Sequence, residues 1–104
     1  MRIKPFIAAA LAAGAIGFGL LGPAHAETDG SVLAGTCFNC HGTEGRSPGA
    51  IPSIAGEPYA VLLAQLQAFK AGEAPGATVM SRLAPGYSDE ELKALALYFS
   101  QVQP

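Results

Sequence analysis

Cys37-Phe38-Asn39-Cys40-His41 is the stretch on which the reading of this chain turns. Its spacing puts two thiols one helical turn apart, on one side of the backbone, and projects an imidazole from the next position. Four chemistries use such a group. Two nearby thiols form a disulfide in an oxidising compartment, or a thioredoxin-like redox pair. With further ligands they hold zinc. With the adjacent histidine, C-x-x-C-H is the attachment signature of haem c: the thiols reach two vinyl groups of one porphyrin, and the imidazole meets the iron from the proximal face.

The rest of the chain narrows the choice. A redox pair usually closes a strand of a βαβ unit, and no strand pattern precedes Cys37. Zinc needs two more ligands, and residues 27–104 hold no third cysteine and no second histidine. The N-terminus favours haem. Met1-Arg2-Ile3-Lys4 is a short basic segment, and Pro5 to Leu21 is apolar and rich in Ala and Gly. Gly22-Pro23 breaks any helix there, and Ala24-His25-Ala26 offers the small residues that a signal peptidase reads. Residues 1–26 are therefore expected to be a signal peptide cleaved after Ala26, with 27–104 one exported domain in the periplasm. The apolar run is short, and broken by glycines, for a membrane span. No span is expected once the leader is removed. Haem c is attached outside the cytoplasm, so the leader and the motif agree.

Without the leader, four basic residues (Arg46, Lys70, Arg82, Lys93) face all eight acidic ones, a formal charge of −4. That balance excludes nucleic acid and anionic membrane surfaces, which want a basic patch. A chain this short has little core of its own, and such domains often rely on a cofactor.

Three helices are expected, separated by long loops. The first runs from about Asp29 to Asn39, capped by Asp29 or Ser31. The second is Pro58 to Ala71, with Gly72 as its stop and Tyr59, Leu62, Leu63, Leu66 and Phe69 as its buried stripe. The third is Asp89 to about Val102. Ser88 and Glu91 form its capping box, and Leu92, Leu95, Ala96, Phe99 and Val102 face inward. Between them, residues 42–57 and 72–87 are crowded with Gly and Pro and read as loops. The fold class is all-α, with about three helices and long loops around one covalently bound haem.

The axial ligands are reached by elimination. His25 and Met1 leave with the leader, so His41 and Met80 are the only histidine and methionine left. Met80 lies in the second Pro/Gly-rich loop, free to swing over the distal face. His41 and Met80 are thus expected to be the iron ligands, the thioether favouring Fe(II). A metal-bound histidine usually donates its other ring N–H to a carbonyl, and the rigid Ile51-Pro52-Ser53 segment is placed to supply one. Tyr59, Phe69, Tyr87 and Phe99 are expected in the haem pocket or the core. With both axial sites filled, outer-sphere electron transfer is expected, with no catalytic residue.

The quoted motif, extended through Gly42-Thr43-Glu44-Gly45 and followed by Pro52-Ser53-Ile54-Ala55-Gly56, resembles class I c-type cytochromes of the cytochrome c4/c553 kind. Ala68-Phe69-Lys70-Ala71-Gly72-Glu73 and Thr78-Val79-Met80-Ser81-Arg82-Leu83-Ala84-Pro85-Gly86-Tyr87-Ser88 resemble the cytochrome subunit of flavocytochrome c sulfide dehydrogenase. The resemblance implies Met80 as distal ligand and Pro52 as the proline of the proximal loop. It also implies a partner, an FAD-containing sulfide dehydrogenase subunit, whose electrons the haem passes to a downstream acceptor. Some family members carry two haem domains; this chain has one motif and room for one haem. The alternative reading is a freely diffusing electron carrier of the cytochrome c4/c553 type.

Overall fold

A computed structural model of the chain describes residues 28–104; the expected leader and its cleavage point lie outside them. Asp29 opens the first helix, α1 (Gly30–Ala34), by accepting hydrogen bonds from the Ser31 amide at 2.9 Å and the Ser31 hydroxyl at 2.7 Å. These bonds hold the Asp29 carboxyl below its ordinary range. A 3₁₀ turn (Gly35–Cys37) leads straight into α2 (Phe38–His41). The helix expected here is thus present in three tightly joined pieces and extends through the histidine. Thr36 helps to tighten the middle: its hydroxyl donates to the Leu33 carbonyl at 3.0 Å.

The second expected helix is α3 (Tyr59–Ala71), with Pro58 as its N-cap and Gly72 in the left-handed conformation that ends it. The segment carrying Met80 corrects the sequence reading. It is not a loop throughout but holds a short helix, α4 (Val79–Leu83), and a 3₁₀ turn (Ala84–Gly86). The reason is local. Gly and Pro stand on both sides of residues 77–84 and not within them, so one helical turn fits between the breakers. The last helix, α5 (Asp89–Ser100), starts at Ser88 with the full capping box: the Glu91 amide donates to Ser88 Oγ and the Ser88 amide to Glu91 Oε1.

There is no strand among the described residues. α5 is the centre, with α1 and α3 packed against it. Ala34, Leu62, Leu92, Leu95, Ala96 and Phe99 form the buried cluster, and Leu33, Cys37, Phe38, Ile54, Leu63 and Leu66 pack around it. The α5 stripe is buried as expected, with Val102 half-buried beyond the helix end. In the α3 stripe Leu62 is buried, Leu63, Leu66 and Phe69 are half-buried, and Tyr59 is exposed. α4 and the Ala84–Gly86 turn also rest on α3. That helix therefore supports both α5 and the Met80 segment.

Candidate functional site

The motif is positioned by Phe38, one of the two residues between its cysteines. Phe38 meets Phe99 of α5 edge-on, with ring centroids 6.2 Å apart and planes at 74°. Tyr98 packs on the same ring at 5.2 Å. This aromatic contact anchors the helical turn bearing Cys37 and Cys40 to the centre of the fold. Cys37 is half-buried and Cys40 exposed, and no disulfide joins them. Burial pushes the Cys37 thiol up, against a lowering hydrogen bond from Thr36, and the neighbouring Cys40 raises it further. A redox-active dithiol needs a depressed thiol, so this environment disfavours the thioredoxin-like reading. No cluster of three His, Cys, Asp or Glu side chains suited to a metal gathers among the described residues, which disfavours a zinc site.

Past His41 the chain must reverse at once, and two glycines make this possible. Gly42 has φ 87° and ψ 164°, a conformation essentially reserved for glycine. A Cβ there would sit 2.1 Å from the Arg46 carbonyl oxygen. Gly45, at φ 80°, lies so close to Phe99 and Ile54 that a Cβ would meet them at 2.8 and 2.9 Å. The Gly45 carbonyl accepts from the Ile54 and Ala55 amides at 2.9 and 3.2 Å, folding the loop back on itself. The Ser47 amide donates to Ser53 Oγ at 2.8 Å and clamps the outer part.

The result is one short contact. Nδ1 of His41 lies 2.7 Å from the Pro52 carbonyl oxygen. A carbonyl only accepts, so Nδ1 carries the proton and donates. Nε2 of the neutral ring is then left with a free lone pair, the atom a metal requires. Pro52 contributes through its backbone oxygen, and the loop supplies the rigidity.

Met80 is half-buried in the first turn of α4. Apolar surface stays exposed beside both candidate ligand segments: Ile51 next to Pro52 is 43% exposed, and Val79 and Leu83 around Met80 are 59% and 51% exposed. An apolar macrocycle would cover such surface. Two thiols one turn apart, an imidazole with Nε2 free and uncovered aliphatic side chains fit haem. Tyr59 lies at the start of α3, on a groove shared with Thr28, Ala94 and Leu97.

Two residues that shape this site escape a reading of the sequence. Phe38 occupies a variable position of the motif, and only the fold reveals its partner. Glu44, with φ 59°, accepts a hydrogen bond from the Tyr98 hydroxyl of α5, tying the reversal after His41 to the centre of the molecule. This bond pushes the Tyr98 hydroxyl above its ordinary value. No periodicity flags a pair so far apart in the chain.

An all-helical domain wrapped around C-x-x-C-H is the architecture of a covalent haem protein. The chain belongs to the cytochrome c family, whose model matches residues 27–103. It carries one haem c, attached through Cys37 and Cys40, and is an electron carrier. It is 39% identical to the cytochrome subunit of sulfide dehydrogenase from Chlorobaculum tepidum over 93 residues, 83% of this chain and 84% of that protein. It is 38% identical to cytochrome c4 of Stutzerimonas stutzeri over 94 residues, 79% of this chain but only 45% of that protein. Among solved structures, Acidithiobacillus ferrooxidans cytochrome c4 superimposes with a TM-score of 0.68 at 27% identity, covering 79% of this chain and 53% of that one.

Proposed function

We propose that this chain is the periplasmic haem subunit of a sulfide-oxidising complex. It takes single electrons from an FAD-containing sulfide dehydrogenase subunit and passes them to a downstream acceptor. The observation that carries this reading is the match to a sulfide dehydrogenase cytochrome subunit over most of both chains. An acidic balance and no helix long and apolar enough to cross a membrane among the described residues accord with a small exported carrier. Residues 1–26 are the leader that exports it.

The iron ligands in this reading are His41 and Met80. The haem supplies a one-electron Fe(III)/Fe(II) couple when bound. His41 directs Nε2 to the metal because its Nδ1 proton is committed to the Pro52 carbonyl. Met80 donates a soft thioether, which favours the reduced state. With His41 and Met80 both holding the iron there would be no open site for sulfide, so the sulfide chemistry would belong to the flavoprotein. Cys37 and Cys40 would hold the cofactor covalently on a protein with little core of its own.

The test is purification from native periplasm with an absorption spectrum. A flavin spectrum travelling with the haem, together with the long-wavelength sulfur-to-iron band of the oxidised protein, is expected. A haem-only monomer at every salt concentration would refute the complex and leave the freely diffusing carrier.

A further inference from the structure

The Met80 segment is joined to the body of the molecule in an unusual way. Among the described residues, the hydrogen bonds of residues 74–86 reach no further than Tyr87, whose amide donates to the Ala84 carbonyl at 3.1 Å. The bonds that tie it down sit at its base. Lys70, in the last turn of α3, reaches across to where the segment ends. Its ammonium donates to the Tyr87 carbonyl at 2.7 Å and pairs with the Asp89 carboxylate at 3.0 Å. The Tyr87 hydroxyl lies 3.1 Å from the Thr36 hydroxyl. Thr36 already donates its own proton to the Leu33 carbonyl, so Tyr87 is the donor in this contact. Thr36 immediately precedes Cys37.

Lys70 therefore closes the loop bearing Met80 at its neck, and Tyr87 pins that neck to the helix bearing Cys37. The loop needs such a closure. It contains Gly72, Gly76 and Gly86, and its internal bonds give it little to resist opening. The ion pair to Asp89 is not the main agent, because the Asp89 side chain is 75% exposed and such a pair is well solvated. The bond to the Tyr87 carbonyl is different. Lys70 is only 32% exposed, and its charge-assisted donor meets a backbone atom whose position defines where the segment ends.

We infer that Lys70 and Tyr87 are positioning residues for Met80: they set how firmly the thioether stays on the iron. The inference rests on the assignment of Met80 as axial ligand.

The readout is imidazole binding to the oxidised holoprotein, followed in its visible spectrum. Imidazole must displace Met80, so its apparent affinity scales with the fraction of molecules whose segment is open. Lys70→Met keeps the aliphatic stem and removes the donor, and should raise that affinity about tenfold. Tyr87→Phe should raise it several-fold, and Lys70→Arg, which can still donate to the carbonyl, should bring it back toward the unaltered value. Lys93→Met is the control, because Lys93 is exposed and, among the described residues, pairs only with Glu90 on its own helix at 3.5 Å. Affinity for Lys70→Met within about twofold of the unaltered protein overturns the inference. Where Lys70→Met yields no folded holoprotein, Tyr87→Phe carries the same two outcomes. Met80→Ala separates the layers. If the unaltered protein binds imidazole as tightly as Met80→Ala and lacks the sulfur-to-iron band, the ligand assignment itself fails, and the latch with it.

Discussion

Gly42→Ala places one methyl group immediately after the motif, at a position with no room for it. The new Cβ would lie 2.1 Å from the Arg46 carbonyl oxygen, 2.6 Å from its carbon and 2.9 Å from the Ser47 Cα. All three are backbone atoms, so no side chain can swing aside. The conformation at φ 87° and ψ 164° adds about 1–3 kcal/mol for any residue with a Cβ. Forcing backbone apart to admit a methyl adds about 1–3 kcal/mol more. The total of about 2–6 kcal/mol is a large share of the stability of a small domain. At about 4–8 °C per kcal/mol for a domain of this size, the melting temperature should fall by at least about 8 °C. The assay is thermal unfolding of the holoprotein, followed by far-ultraviolet circular dichroism and the Soret band. Gly35→Ala is the internal control. Gly35 is helical at φ −55°, and a Cβ there meets nothing within 4 Å. That variant should be neutral or gain up to about 1 kcal/mol, since alanine suits a helix better. A Gly42→Ala melt within about 2 °C of the unaltered protein would refute the claim that the reversal after His41 requires glycine.

Leu92 is completely buried and is the largest such side chain among the described residues, so Leu92→Ala should cost about 2–5 kcal/mol in urea unfolding, with the slope unchanged. The Tyr98–Glu44 bond predicts a pH signature. The Tyr98 hydroxyl titrates above its ordinary value of 10.0, chiefly because it donates to Glu44. Its contribution is therefore fully present below pH 10 and is lost as the pH rises through the raised folded value. Melting curves of the unaltered protein and Tyr98→Phe should differ by a constant amount at neutral pH and converge in the alkaline range. A difference unchanged at high pH would show that the hydroxyl contributes nothing specific.

What could be read from the sequence was local. C-x-x-C-H, the Ser88–Glu91 capping box and the Gly72 stop each depend on residues within one or two turns, and each stands where its spacing puts it. The interruption of the first helix at Gly35–Cys37 is finer than a 3.6-residue period can resolve. The α4 turn was hidden because Gly and Pro counted over residues 72–87 as a whole mask a stretch free of both. Tyr59 satisfies the α3 stripe by spacing but stands at the helix start, where α5 has left a groove rather than a cover. Phe38 with Phe99 and Glu44 with Tyr98 are pairings between distant segments, and only tertiary packing brings them together.

The two candidate ligands are held by opposite means, and this has a consequence. His41 sits at the head of a loop fixed by Gly42, Gly45, the Ser47–Ser53 clamp and the Pro52 carbonyl. Met80 sits on a segment that rests on α3 and is bonded to the body at its base by Lys70 and Tyr87. A one-electron carrier works best when both oxidation states share one geometry, and the rigid His41 side provides the common frame. The Met80 side is where small changes can alter the balance between states without disturbing the fold. Perturbations should therefore separate. Gly42→Ala strikes the frame, so it should lower the melting temperature whichever axial ligand is bound. Lys70→Met removes the bond to the Tyr87 carbonyl as well as a partly exposed ion pair; a tenfold gain in imidazole affinity corresponds to about 1.4 kcal/mol, so it should lower the melting temperature by less than Gly42→Ala does while imidazole binding tightens. If Lys70→Met lowered the melting temperature as much as Gly42→Ala, the Met80 segment would be part of the frame, and this division between the two sides would fail.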